Sequence, residues 1–322
     1  MRFKISLMFV ACVLLLSSCK KDKDPAIGVG TLLNNNILLN VFSGSATQLY
    51  SMSADGSSLT QLTHFDAHTF LGTASWSPDH SKILYTANNY IYIMNADGTN
   101  PVELSDNNTI SYNPNLSPNG KKILYLTRFL APDPTYGTTA VEQLAVMNSN
   151  GTGKTQITNF YTSAYNYLDL SCPIWSPDGS KIAFIGNPNI GNSGMGVYTV
   201  NPDGSGLTLV LRSTNSLKNI CYSPDGSTLL LQILSSNLSA NGLYTCNASD
   251  GTNLKMLFPT FETNAIISVA TPPSYSPDGT QIIAGSFKDT PTTGDTYIIT
   301  SNGTIVRKLT NNFNQIVSTA WR

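Results

Sequence analysis

Short apolar runs recur along the chain, each bounded by Ser, Pro, Asp, Asn and Gly. Lys181-Ile-Ala-Phe-Ile185 is one of them. It is too short for an ordinary helix, rich in branched and aromatic residues, and preceded by a turn, so it reads as a buried strand. The turn, in Trp175-Ser-Pro-Asp-Gly179, has a mechanism. Pro177 presets φ, Asp178 can bond its own backbone, and Gly179 takes a positive φ at no steric cost. The pattern predicts the end of one strand, a tight turn, and the start of the next.

The same phrase occurs four more times, as Trp76-Ser-Pro-Asp-His80, Leu116-Ser-Pro-Asn-Gly120, Tyr222-Ser-Pro-Asp-Gly226 and Tyr275-Ser-Pro-Asp-Gly279. Successive prolines are 40, 59, 47 and 53 residues apart. A second phrase follows each copy: Tyr92-Ile-Met-Asn-Ala-Asp-Gly98, Ala145-Val-Met-Asn-Ser-Asn-Gly151, Tyr198-Thr-Val-Asn-Pro-Asp-Gly204, Tyr244-Thr-Cys-Asn-Ala-Ser-Asp-Gly251 and Tyr297-Ile-Ile-Thr-Ser-Asn-Gly303. Each unit then ends in a short apolar run such as Val306-Arg-Lys-Leu-Thr310. Four strands and two tight turns at this period predict an all-β fold, a propeller with one four-stranded antiparallel blade per unit.

Lettering the strands a to d from axis to rim, blades two to six fall at about 64–105, 106–159, 160–212, 213–259 and 260–310. The first unit is incomplete. Asn36–Asn40 resembles strand b, Leu49–Gly56 holds strand c with its turn, and Leu59–Thr63 is strand d, but no Trp-Ser-Pro-Asp-Gly precedes them. The missing piece stands at the other end, where Ile316-Val-Ser-Thr-Ala-Trp321 matches a strand a. The expectation is a six-bladed ring in which the C-terminal strand joins the first blade, removing open edges.

The Trp-Ser-Pro-Asp-Gly…Ile-Ala-Phe…Tyr…Asn-x-Asp-Gly…Leu-Thr unit resembles the repeat of the TolB-like propellers, also called the WD-like or PD-type repeat. The match covers nearly all of the chain after about residue 30. It implies a fold and says little of function. The family's six-bladed namesake is a periplasmic protein-binding component of an envelope-spanning system, with a small extra N-terminal domain where this chain has a short tether.

Met1-Arg-Phe-Lys4 is basic and Ile5–Leu16 is apolar, a run short for a spanning helix and suited to an export signal. Leu16-Ser-Ser-Cys19 resembles a bacterial lipobox. That resemblance implies cleavage before Cys19, lipid on that residue and attachment to a membrane through the lipid. Lys20-Lys-Asp-Lys-Asp24 resembles the charged tether of surface lipoproteins of the Bacteroidetes group, and no Asp follows Cys19 directly, which points to the outer membrane, with the leaflet open. The expected organisation is a signal peptide over 1–18, a tether over 19–30 and a propeller over 31–322.

Composition narrows the function. With 18 Lys and Arg against 19 Asp and Glu, the net charge is −1, and no basic stripe exists to track phosphates, which argues against nucleic acid. Of five cysteines, Cys12 leaves with the signal and Cys19 is lipidated. Cys172, Cys221 and Cys246 show no CxxC spacing and are expected as buried thiols, with Cys172 and Cys221 the pair from adjacent blades worth testing for a bridge.

Topology puts the Ser-Pro-Asp-Gly and Asp-Gly turns on one face, where their Asp residues read as turn-formers. The opposite face receives the b–c and d–a connections, which vary in length: 128–142, 159–169, 186–196, 235–242, 258–270 and 288–295. Variable loops on a rigid scaffold are where recognition usually lives. Arg128, Tyr136, Phe160, Tyr161, Tyr165, Tyr167 and Phe261 are the candidate contact residues, because aromatic rings offer area at low ordering cost. No metal or other cofactor is expected: His64, Asp66 and His68 alternate, but no further histidine completes the set. No Gly-x-Ser-x-Gly elbow occurs. The leading expectation is a monomeric, non-catalytic envelope propeller binding a protein, peptide or glycan. The alternative is a glycan-active enzyme, a polysaccharide lyase or hydrolase, using carboxylates such as Asp133, Glu142, Asp169 and Glu262, or His64 and His68 converging with Asp66, in the central funnel, and a third reading is a purely structural envelope component.

Overall fold

The computed structural model describes residues 35–42, 45–105, 109–133, 137–160, 170–187, 195–259, 272–287, 294–309 and 315–321. They form six four-stranded antiparallel sheets. Five are consecutive in sequence, with inner strands Leu71–Trp76, Ile110–Leu116, Ser171–Trp175, Ser216–Tyr222 and Ser274–Tyr275. The sixth is composite. Gln315–Trp321 is the inner strand, followed outward by Asn35–Phe42, Thr47–Ser53 and Thr60–Gln61. The C-terminal strand therefore completes blade 1, with Leu38 opposite Ala320 and Leu39 opposite Thr319. The fold is the expected six-bladed propeller.

Strand alternation explains why the blades stack. In Asn35–Phe42, Ile37, Leu39 and Val41 join a cluster with Ile283, Ile298 and Leu309 of blade 6. Leu38, pointing the other way, packs with Leu71, Ile83 and Met94 of blade 2. Each of the six apolar clusters lies between two neighbouring blades, so the core is a ring of interfaces rather than one centre. Closure is polar as well: Trp321 donates its backbone N–H to Ser274 Oγ at 3.3 Å, and the Arg307 guanidinium donates to the Ala54 carbonyl.

The turns behave as expected. In Ser176-Pro-Asp-Gly179 the Ser176 hydroxyl donates to Asp178 Oδ1 at 2.6 Å, the Ser180 N–H donates to the same oxygen at 2.9 Å, and the Gly179 N–H closes the turn on Ser176 O at 2.8 Å. The arrangement repeats at Asp79, Asp225 and Asp278, and Asn119 replaces the acid in blade 3 with the same bonds. These donors hold the carboxyls below the usual carboxylate range, to about 2 at Asp79 and Asp178. The turns share one end of the ring, since a Cβ at Gly226 or Gly279 would lie 3.5 or 3.4 Å from the proline of the preceding blade's turn.

One connection differs from its expectation. The sequence predicts a variable loop from Arg128 to Glu142. Its described residues instead continue the hairpin of Lys122–Asp133 with Gly137–Asn148, pairing Arg128 with Glu142, Phe129 with Val141 and so on to Asp133 with Gly137. Phe129-Leu-Ala and Thr138-Thr-Ala-Val carry the β-prone residues that let the ladder run on. The corresponding strands of the other blades are five to eight residues long, against twelve here.

Candidate functional site

The inner strands do not run straight. Their pairing with the next strand shifts between Leu71 and Ala74, Tyr112 and Asn115, Ser171 and Ile174, and Leu217 and Asn219. These bulges fall on Gly72-Thr73, Asn113-Pro114, Cys172-Pro173 and Lys218. Pro114 and Pro173 have no N–H for the ladder, and Asn113 and Cys172 take φ of 51° and 50°, in the left-handed region. The bulged residues line a channel along the axis of the ring, with a volume of about 750 Å³, walled by the inner strands of all six blades.

The channel extends to the Ser-Pro turns, where Trp76, Trp175, Tyr222 and Trp321 form its wall. These are the residues that precede Ser-Pro in their repeats, or, for Trp321, that occupy the equivalent place. The wall is pinned across blades by the Trp175 indole, which donates to Asn115 O at 3.2 Å, and within blade 5 by Asn219 Nδ2, which donates to the buried Gln232 Oε1 at 2.6 Å. Thr73 Oγ1 and Ser75 Oγ are buried in the wall without a hydrogen-bond partner among the described residues. Lys218 and His80 are the basic side chains of the lining, and the described lining contains no Asp or Glu.

Cys172 does not supply a nucleophile. Burial pushes its thiol up to about 11, so it stays protonated and donates to Lys218 O at 3.1 Å. Burial raises Cys221 and Cys246 to about 11 too, and Cys172, Cys221 and Cys246 are all free, so the adjacent pair Cys172 and Cys221 is not bridged. The wall thus offers aromatic surface, amides and an ammonium, which are groups for holding a guest.

On the opposite face, Arg128 is exposed at the base of the hairpin arms, across from Glu142, whose carboxylate accepts the Leu170 N–H at 3.2 Å. Phe160 is half-buried and its ring stacks on Phe184 at 5.9 Å, which stacks in turn on Tyr198 at 5.8 Å. Its backbone is clamped by the buried Gln143, which donates to Phe160 O at 2.8 Å and accepts from Phe160 N at 3.0 Å and Thr158 Oγ1 at 2.7 Å. Gln48, Thr63 and Phe65 make the same clamp in blade 1. Tyr136, Tyr161, Tyr165, Tyr167 and Phe261 lie outside the described residues, as do Asp169 and Glu262.

His64, Asp66 and His68 are exposed, and the alternation expected of them is broken: His68 has φ of 75° and its N–H turns back to Ser45 O. Among the described residues no group of three or more His, Cys, Asp or Glu is placed to hold a metal ion. Two features were missed in the sequence. The glutamine clamps carry no motif beyond Gln and Thr fifteen residues apart. The bulges did leave a trace, in the Asn-Pro and Cys-Pro pairs at matching places in two inner strands.

No protein-family profile matches the chain, and no curated protein matches its sequence. Solved structures do resemble it. TolB from Acinetobacter baumannii is 17% identical with a TM-score of 0.70, over 89% of this chain and 66% of that one. The chain therefore spans just under two thirds of that relative's length. A putative TolB from Agrobacterium tumefaciens is 18% identical with a TM-score of 0.60, over 88% and 92% of the two chains. An oligogalacturonate lyase in complex with manganese is 16% identical with a TM-score of 0.56, over 86% and 74%. At these identities the likeness is one of fold alone, that of a six-bladed propeller.

Proposed function

We propose that the protein is a monomeric, lipid-anchored propeller of the cell envelope that binds a protein, peptide or glycan partner without transforming it. Lipid on Cys19 would hold it at the outer membrane through the 19–30 tether. The face made by the b–c and d–a connections would meet the partner, with Arg128, Tyr136, Phe160, Tyr161, Tyr165, Tyr167 and Phe261 as contact residues. One observation carries this reading. Among the described residues the blade 3 hairpin runs four to seven residues beyond its counterparts and carries Arg128 exposed at its base. At roughly 3.3 Å per residue that is an arm of about 13–23 Å, a projection that scaffold closure does not require.

A glycan-active enzyme would need two acids about 5–9 Å apart across a sugar bond. No observation on the described residues favours that reading, because the channel wall presents amides, aromatics and Lys218 instead. The test is capture of envelope partners by the intact lipoprotein and by Arg128→Ala and Tyr161→Ala/Tyr165→Ala variants. Loss of a specific partner in the variants supports the proposed face, and identical capture by all three proteins overturns it. Cys19→Ala, which should release the protein from the membrane pellet, tests the anchor separately.

A further inference from the structure

Three blades carry an internal lysine paired with an asparagine, and blade 5 keeps the asparagine without the lysine. In blades 2, 3 and 4 the first residue after the Ser-Pro turn is Lys82, Lys122 or Lys181. Each ammonium donates to the Asn that opens the c–d turn of its own blade: Asn95 at 2.6 Å, Asn148 at 2.8 Å and Asn201 at 2.6 Å. In blade 5 the Asn is kept as Asn247, but the residue across from it is Thr228. The Asn247 amide N–H still donates to Thr252 Oγ1 at 2.9 Å, as Asn95 does to Thr99. No donor among the described residues reaches its Oδ1, the atom that accepts the lysine in the other three blades.

A cavity of about 820 Å³ stands at this place, on the turn face between blades 5 and 6. Asn247 and Thr228 line it. So does Thr245, which is 6% exposed and whose Oγ1 is buried with no hydrogen-bond partner. An unpaired buried hydroxyl is costly, so a donor supplied from outside is favoured there. Asp225 and Asp278 stand at the edge with Tyr275 beside them, and Lys255 projects from the outer strand. The two carboxylates outnumber that one ammonium. Serine and threonine donors keep both acids ionised well below neutral pH. Tyr275 adds an aromatic ring, which attracts cations.

We propose that this cleft binds a primary alkylammonium group, entering where blades 2 to 4 hold their own lysine and bonded by Asn247 Oδ1 and Thr245 Oγ1. The chemistry fits the lysine side chain of a partner and a free diamine alike. Because the cleft lies on the turn face, it stands apart from the partner face proposed above, and either can fail without the other.

The test titrates the full chain with N-acetyl-lysine methylamide, with 1,5-diaminopentane and with the uncharged N-acetyl-norleucine methylamide, followed by amide NMR and calorimetry. The two amines should shift Thr245 and Asn247, and the norleucine analogue should not. A tighter diamine assigns the site to free amines, and a tighter lysine analogue assigns it to a partner's side chain. Thr228→Lys restores the internal ammonium and should weaken amine binding at least tenfold, while Thr228→Ser should bind as wild type does. Should the lysine variant not melt cooperatively, Asp278→Asn supplies an independent reading, with an expected loss of several-fold. Equal shifts from the norleucine analogue, no shift from either amine, or undiminished binding by a folded Thr228→Lys protein would overturn the proposal.

Discussion

The two ends of the ring are built on opposite principles. At the turn end the same few residues recur from blade to blade, and each does the same local job. Ser donates to Asp, Asp accepts from the next Ser or Thr, and Gly takes the positive φ. At the other end the described residues repeat the clamp of Gln48 and Gln143, and the connections differ in length from blade to blade. The contrast teaches where information sits. Identity of sequence marks the end that holds the scaffold together, and departure from identity marks the places free to specialise. Two departures stand out: the lengthened hairpin on the variable end, and Thr228 in place of lysine on the repetitive end.

The largest break in this contrast is at the seam, which belongs to both ends. Removing residues 315–322 takes away the inner strand of blade 1 and its ladder with Asn35–Phe42. It also exposes the edge that the ring had closed. The melting temperature should fall by roughly 10 °C or more, or the cooperative transition should disappear. Differential scanning calorimetry decides it, and an unchanged melt would mean that the strand is an accessory.

Next come the glycines of the c–d turns, which are not equivalent to those of the Ser-Pro turns. At Gly204, φ is +86° and a Cβ would sit 1.9 Å from Ile157 O of the preceding blade. At Gly120, φ is +69° and the nearest atom to a Cβ is Pro78 Cδ at 3.9 Å. Gly204→Ala must move a neighbouring backbone and should cost about 3 kcal/mol or more. Gly120→Ala bears only the left-handed strain, about 1–2 kcal/mol. Equal losses in urea titrations of the two variants would show that conformation, not blade contact, sets the need for glycine.

The variable end has its own test. Gln143 supplies a donor to Phe160 O and an acceptor to Phe160 N and Thr158 Oγ1. Gln143→Leu keeps the volume and orphans those groups, so stability should drop by about 2 kcal/mol. Hydrogen exchange should rise at Phe160 while the Ser-Pro turns stay protected. Exchange that rises equally at both ends would contradict the independence of the two.

This difference also explains how much could be read beforehand. The blade count, the four strands per blade and the closure by Ile316–Trp321 were legible because each repeat restates one local rule, and five restatements outweigh any single ambiguity. The turn role of Asp178 was legible for the same reason. The axial bulges left only the Asn113-Pro114 and Cys172-Pro173 pairs as a trace, since a register shift depends on how a strand meets its partner, and Thr73 or Lys218 looks like any other strand residue. The Arg128–Glu142 segment departs from its loop expectation because Pro132 and Gly137 suggest a loop, while pairing across the hairpin overrides them. Phe160 was legible as aromatic but not as a ring stacked on Phe184, which only the fold brings to it.

The smallest effect lies in the turn carboxylates, and its sign can be worked out. Asp79 and Asp178 sit at about 2 in the folded chain against an ordinary 3.8, lowered first by the hydroxyls of Ser77 and Ser176. A carboxyl whose folded value is depressed contributes stability above its unfolded value and loses it as pH falls through the folded one. The contribution is therefore complete at neutral pH and fades between about 4 and 2. Blade 3 already shows the uncharged solution, where Asn119 accepts the same two bonds. Asp178→Asn should accordingly melt like wild type at pH 7 and decline less steeply between pH 4 and 2. If the variant declined as steeply as the parent, the acid sensitivity would have to originate elsewhere in the ring.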